Sequence, residues 1–583
     1  MTSPPAPSPT PPTWPYCAEG ASPVYPVGCQ GIHIPGHTRC LAHLAPADRA
    51  AYFAGLSLGA TVDHRGTTFD APLLTELLDA LRDPATAQPH FGYAKFDGAT
   101  FSGDAGFGLA TFSRDARFFG ATFSRDASFF GARFCGDAGF NGATFAGDAS
   151  FFGASFSCNA SFGSATFSRF ALFESAEFSR EASFSFVTFS RDAGFVNASA
   201  RYADFSDATF ECTSELGPLV CEKTLNLSRA VFGAPVVIEV AASSMECVRT
   251  RWDATATVRL RHAALNLSGA VVALPIAVTA HPVPLSTAGT AARAVEDSLT
   301  GPARVTSLRG IDAAHLVLTD TDLTGCVFTG AFHLDQLGLN GDTIFDAPPT
   351  GWRLRKGIPA RLTRRRTIAE EHHWRALAPG EPLPPRGWTP GPDHPNVTLT
   401  PGPEDVGPVY RALRKASEDA KNEPDAADFY YGEMEMRRHD HKRPTGERAL
   451  VTTYWLLSGY GLRATRALGW LLFAMTTTVI MMMLWGLPTG DPKPRTTGVQ
   501  VATGQRAEFV TDNPDPTLTG PVHDRLTAKR AEKATRVVVN SVVFRSSGQN
   551  LTKRGAYIEM VSRFLEPVLL ALAILAIRGR VKR

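Results

Sequence analysis

Between Phe96 and Phe210 a phenylalanine returns at steps that alternate, almost throughout, between five and six residues. ATFSRDARFFG at 110–120 comes back as ATFSRDASFFG at 121–131 with one change. The beat is carried by Phe101, Phe107, Phe112, Phe118, Phe123, Phe129, Phe134, Phe140, Phe145 and Phe151 and runs on to Phe195. An Ala, once a Val, stands two residues before nearly every ring, and Ala200 alone interrupts the ladder before Phe205 and Phe210 restore it. A period this regular means stacked units that bury one another.

An eleven-residue period also suits a right-handed helical supercoil, but that needs apolar spacings of three and four. Here spacings of two occur, and Gly, Ser, Thr and Phe are poor residues for a long helix interior. Ala and Phe two apart face the same side of an extended segment. The chain is therefore expected to bend every five or six residues with Ala and Phe inward, as a β-helix of short faces. Asp104, Asp115, Asp126, Asp137 and Asp148 form a second column, continued by Asn159, Glu181 and Asp192. Two readings exist for it: carboxylates that accept turn N–H groups at the wide corner, or a calcium ladder. The glycine-rich nonapeptide of calcium-binding β-rolls is absent.

The A-x-F-x-x beat resembles the pentapeptide-repeat family, in its Phe-rich subclass. The resemblance implies a right-handed quadrilateral β-helix with four repeats per coil, the extra residue of every second repeat forming a looped-out corner. Twenty-two ladder positions would then make about five and a half coils, a rod of about 26 Å at about 4.8 Å per coil.

A chain of 583 residues is too long for one ordinary core. Residues 1–16 are Pro-rich and read as a disordered tail; no secretory signal opens the chain, so its nine Cys are expected to stay reduced in the cytosol. Residues 17–90 read as a cap with helices at 47–58 and 71–82, the second carrying a Leu73, Leu74, Leu77, Leu78, Leu81 stripe. RGTTF between them looks like a first rung. In the cap, Cys17, Cys29, Cys40 and His43 have the residue types of a closed structural zinc site, with a ligand-like CxxH at 40–43. The alternative is buried thiols in a loop-rich cap. The C-x-G and CLAH words also resemble the N-terminal cap of large bacterial pentapeptide-repeat proteins.

Residues 91–212 are the regular ladder and 213–346 an irregular continuation. LNLSRAVF at 225 echoes LNLSGAVV at 265, and the forty-residue offset suggests two coils, each with an inserted loop. A Pro-, Ala- and Thr-rich excursion spans 281–303. Residues 352–377 are Arg-rich, and a helix from about 360 would present Arg361, Arg364, Arg365 and Arg366 to an anionic partner or pair them with Glu370 and Glu371. A Pro/Gly linker at 378–408 leads to a helical hairpin and interfacial helix at 409–466.

Residues 467–487 carry no charge and would span about 30 Å as a helix. The second candidate span, 557–577, includes Glu559, Arg563 and Glu566, which fall on one face and would meet a partner helix or water while Val561, Leu565, Leu569 and Leu570 meet lipid. Residues 488–556 would be an extracytoplasmic loop and 578–583 a basic cytosolic tail. Arg463 and Arg466 before the first span, and Arg578, Arg580, Lys582 and Arg583 after the second, place the β-helix and both termini in the cytosol by the positive-inside rule. YRALRKASEDAKNEPDAADFYYGEMEMRR and SGYGLR resemble the membrane module of bacterial membrane-associated pentapeptide-repeat proteins, which implies the plasma membrane.

No P-loop, HExxH or dinucleotide fingerprint occurs. The expectation is a non-enzymatic, membrane-tethered scaffold with no cofactor beyond the zinc, whose partners are the bilayer and a protein. Three alternatives stand. A two-span channel or transport accessory is suggested by the order span, long loop, span; SGYG at 458–461 resembles a potassium-filter word but lies before the first span, where no pore loop belongs, and VVVNSVVF would be re-entrant. A gyrase-binding DNA mimic is suggested by some relatives, but 92–210 carries twelve acidic against nine basic residues, a weak imitation of a duplex. An enzyme site would sit in the 488–562 loop or the cap. Nucleic acid is not an expected partner.

Overall fold

The computed structural model describes residues 10–23, 25–349, 352–355, 358–361, 364–378, 387–391, 400–490, 493–499, 502–504, 506–507, 509–512, 514–543 and 546–581. The chain forms two compact units: Met1–Pro401 with Arg411–Asn422, and Gly402–Tyr410 with Glu423–Arg583.

The first unit is a parallel β-solenoid of about 11 turns. Its coil is 22 residues long: Thr100 pairs with Thr122 and Thr122 with Thr144. Two-residue strands beginning at Thr100, Ala105, Thr111 and Ala116 make the four sides of one coil. The sequence period of eleven is thus half a coil. Coils are joined by backbone bonds such as Ala116 N–H to Asp137 O at 2.9 Å and Phe118 N–H to Gly139 O at 2.7 Å. Inside, rings one coil apart lie parallel: Phe112 on Phe134 at 4.8 Å, and Phe118 on Phe140 at 4.9 Å. Rings from neighbouring columns meet edge to face, Phe129 and Phe140 at 5.3 Å and 82°, the other arrangement their quadrupoles favour. The corner in each five-residue step needs a left-handed residue, supplied by Gly120 at φ +62° and, against its Cβ, by Phe186 at +58°.

The Asp column does a different job from the one expected. Asp115 Oδ1 accepts the N–H of Asp137, and Asp126 Oδ1 that of Asp148. Asp137 serves Asn159, and Asp192 serves Ser214. Each donor is 22 residues on, so the carboxylates tie coil to coil at the wide corner rather than closing their own turn.

Where the ladder breaks, one side of the rod changes. Phe178 is followed one coil on by Ala200, and Ala200 by Cys221. These small buried residues accompany long bulged strands at Ala198–Asp204, Glu215–Asn226 and Val236–Glu246. The echo at forty residues is not two coils with insertions. Val231 pairs with Arg251 and Arg251 with Val271, so these are plain 20-residue coils. The insertion comes afterwards, where Leu265 pairs with Val305.

Among the described residues, four α-helices belong wholly to the first unit. Helix α1 (Pro46–Ala54) and helix α2 (Ala71–Ala80) lie in the cap. Asp70 Oδ1 accepts Leu73 N–H at the start of α2, and its Leu stripe is buried. Thr68 and Phe69 are the first rung, paired with Thr100 and Phe101. Helix α3 (Ala291–Ser298) fills the excursion and lays Ala292 on Val220 and Ala241. Helix α4 is Ala369–Ala376, so the helix expected from residue 360 is absent; Thr367 instead bridges Asp346 as extended chain. Of the Pro-rich start, residues 1–9 lie outside the described residues. Trp14 and Tyr16 belong to the cap rather than to a tail: Trp14 Nε1 donates to Gln30 O at 2.9 Å and Tyr16 pairs with Ile32. Most of the expected linker, 379–386 and 392–399, also lies outside the described residues.

Helix α5 (Pro403–Asp419) is divided between the units. In the second, Tyr410 packs on Phe429 of helix α6 (Glu423–His439), where Gly432 leaves room for the ring. Helix α7 (Thr445–Ser458) ends in three left-handed residues, Gly459, Tyr460 and Gly461. Tyr460 is buried and its hydroxyl donates to Glu435 at 2.9 Å. The SGYG word is therefore a helix-ending turn with a tyrosine anchor. Helix α8 (Ala464–Met481) continues to Gly486, and helix α10 (Lys553–Val581) follows helix α9 (Ala528–Val542). The stretches Ala464–Gly486 and Lys553–Arg578 are long and apolar enough to cross a membrane. Ser562, Glu566, Leu569, Ala573 and Ala576 form the buried stripe of α10, so Leu569 does not face outward as expected, while Val561 and Leu565 do. The valines expected to be re-entrant lie largely on α9, whose Val537 packs on Met482, Met483 and Leu487.

Replacing Phe140, which is fully buried between Phe118 and Phe162, with Ala should cost about 3–5 kcal/mol. Asp137→Ala should cost about 0.5–1.5 kcal/mol. Amide exchange in the full chain should show both losses concentrated in the coils next to the substitution, as expected of a one-dimensional array.

Candidate metal centre

The cap folds from a two-segment clasp. Cys17 N–H donates to Gly31 O, Ala18 N–H to Cys29 O and Cys29 N–H to Glu19 O. This sets Cys17 and Cys29 on neighbouring segments. A single 3-10 turn, Leu41–His43, then swings His43 back over Cys40, with His43 N–H on Cys40 O at 3.0 Å.

The structure brings all four expected ligands together. One donor atom from each of Cys17, Cys29, Cys40 and His43 lies within 4.8 Å of every other. Cys29 Sγ is 3.7 Å from Cys40 Sγ, Cys17 Sγ is 3.6 Å from His43 Nδ1, and Cys40 Sγ is 3.3 Å from the same nitrogen. Gly31 N–H points at Cys29 Sγ at 3.4 Å. A Cβ on Gly31 would stand 2.8 Å from Cys40 Sγ, so only glycine lets that sulfur in. The Cys29 thiol is drawn down to about 5, first by its contact with Cys40, and the same contact pushes Cys40 up. His33 and His37 are elsewhere: His33 Nε2 bonds Tyr16 O, and His37 lies by Asp48. Cys29 and His43 line an open hollow of about 650 Å³ with Arg49, Thr68 and Asp70.

The repeat phenylalanines, from Phe101 to Phe151, are all interior. The Arg-rich stretch is not the uniform cationic face expected of a helix. Arg361 ends a strand, and its side chain lies outside the described residues. Arg364 is exposed. Arg365 is buried and donates to both oxygens of Glu371, which also takes Arg375. Arg366 donates to Thr343 O and lies over Phe345. Glu370, unremarked in the sequence except as an arginine partner, is fully buried and accepts Phe328 N–H, Thr329 N–H and the Thr329 hydroxyl. It bonds the backbone of a late coil, and nothing local in the sequence marks it for that role.

His64 is another residue that only the fold reveals. It is fully buried, with Tyr52 Oη 3.2 Å from Nε2 and the rings of Phe69 and Phe96 against it. Burial draws it down to about 4. Unfolded, an imidazole titrates near 6.5, so the unfolded chain takes up a proton that the folded cap refuses. The contribution of His64 to cap stability is then full above about pH 6.5, falls by up to about 3 kcal/mol on the way to about pH 4 and changes no further below. The His64→Phe variant should lose that part of the acid slope, read as the difference between two pH-denaturation series.

Residues 173–217 match the family model described as pentapeptide repeats (9 copies). No curated protein and no solved structure gives a match. The matched segment contains the end of the regular ladder and the break at Ala200, and the coils before it keep the same four-sided register. The solenoid thus carries pentapeptide repeats at 173–217, and among the described residues the chain also has two candidate membrane helices.

Proposed function

We propose that this protein is a non-catalytic scaffold, tethered to the plasma membrane, that presents its solenoid to a protein partner in the cytosol. The observation that carries the reading is how the repeat is used. Its ladder Phe and Ala are inside, and Asp115, Asp126, Asp137, Asp148 and Asp192 are engaged coil to coil, so the ladder itself supplies packing and corner residues. What varies lies on the outside. Phe130 and Phe152 stack at one corner at 5.7 Å while 48% and 43% exposed, and Leu109 lies beside Gly131 of the same corner. Exposed aromatic rings are favoured anchors for protein partners. The two candidate spans supply the tether, and the arginines that flank them favour a cytosolic solenoid. The cofactor this reading allows is a structural zinc in the cap, since four protein ligands leave no open position for chemistry.

Deleting 449–583 should move the protein from the membrane to the soluble fraction; a truncated chain that stays in washed membranes would refute the tether. A photo-crosslinking residue placed at 130 or 152 in the full chain should capture a protein in native membranes. Phe130→Ser with Phe152→Ser should reduce that capture from neighbouring positions while leaving the thermal midpoint within a few degrees, because both rings are half exposed.

A further inference from the structure

We infer that Cys17, Cys29, Cys40 and His43 hold one Zn²⁺ ion that pins the cap over the open edge of the first coil. Three of the six donor separations are those of a metal tetrahedron, and the other three lie within 4.8 Å. With Zn–S at about 2.3 Å and Zn–N at about 2.0–2.1 Å, the edges of such a site are about 3.8 Å between sulfurs and about 3.5 Å between sulfur and nitrogen. The measured 3.7 Å and 3.6 Å meet those values, and 3.3 Å falls just inside. A disulfide between Cys29 and Cys40 would need about 2.05 Å and would leave Cys17 and His43 facing a spent pair.

The surroundings are built for thiolate rather than thiol. The Gly31 amide aimed at Cys29 Sγ offsets negative charge on that sulfur, and the missing side chain at Gly31 is what admits Cys40. Three thiolates and one imidazole are the donor set of a tetrahedral, borderline-soft cation, which favours zinc. All four positions are filled by protein, so the ion is structural.

The position of the cluster says what the ion does. The segment that carries Cys29 also carries Ile32, whose N–H donates to Arg65 O at 2.8 Å. Gly66, next along, packs its Cα against the carbonyl of Gln30. This segment lies against the loop that leads into the Thr68–Phe69 rung, at the end of the solenoid where no earlier coil precedes it. An unpaired edge of this kind invites pairing with another chain. Backbone bonds join the Cys17 and Cys29 segments, and one ion would tie the Cys40–His43 turn to both without a sizeable core. The assignment does not depend on what the solenoid binds.

Metal analysis of the full chain, purified in detergent under reducing conditions with no added metal, tests it. About one zinc per chain is expected, against less than about a tenth in Cys29→Ser and Cys40→Ser, with His43→Cys retaining the ion as an all-thiolate site. Exchange of the Ile32 amide should accelerate at least tenfold on chelation. Iron in place of zinc, no metal above a tenth of stoichiometry, or a Cys29–Cys40 disulfide in the isolated protein would each overturn the proposal. If the variants fail to fold, cobalt(II) added to demetallated wild type decides: thiolate-to-cobalt charge-transfer bands with a tetrahedral visible spectrum are expected, and an octahedral spectrum refutes the site.

Discussion

Everything in the first unit depends on one coil finding the next in register. Two-residue strands have almost no stability of their own. They persist because a backbone bond, a ring and, at the wide corner, a carboxylate all point to the equivalent residue of the neighbouring coil. Phe118 shows the first two: its ring lies on Phe140 at 4.9 Å and its N–H donates to Gly139 O at 2.7 Å. A slip of one residue would turn Phe outward along a whole side. The repeat is therefore its own negative control against misregister, and the price is that both ends need partners from outside the repeat.

The two ends meet that need by different chemistry. At the late coils Glu370 brings a buried carboxylate to two backbone donors and a hydroxyl, and the neighbouring Glu371 is neutralised by Arg365 and Arg375. At the start, a clasp of backbone bonds and a Cys3His cluster covers the loop before the first rung. The buried Leu stripe of α2 adds apolar cover at the start, and in both places polar groups with fixed geometry hold the chain against the coil.

Much of this was legible in the residues. The Phe beat implied inward-facing short sides, the resemblance to pentapeptide repeats implied four of them per coil, and the Cys and His that cluster in the cap could be named from their residue types and the CxxH spacing. Three things were not legible, each for a physical reason. The forty-residue echo suggests inserted loops because a coil can shorten to 20 residues by losing one residue at each of two bulges, opposite the stretches Leu216–Leu219 and Cys221–Thr224 of the coil before, which leaves no local mark. The arginines were read as helical because RLTRRRT has no breaker; the actual extended path is held by the bridge from Thr367 to Asp346 and the bond from Arg366 to Thr343 O. The Asp column looked like turn chemistry because its acceptor role is local, while its donors are 22 residues away.

The mismatch between the eleven-residue sequence period and the 22-residue coil has a consequence for how such a rod can change length. Insertion of two sequence units adds one full coil, about 4.8 Å of rod, and returns every later residue to the side it occupied. Insertion of one unit adds half a coil. All columns would still find rings above and below them, so the fold would accept the change. Yet every exposed residue beyond the insertion, counted around the axis, would come out on the opposite side. The interior of this protein is thus indifferent to a parity that its surface must obey, and any partner that reads more than one coil fixes the number of repeats as even.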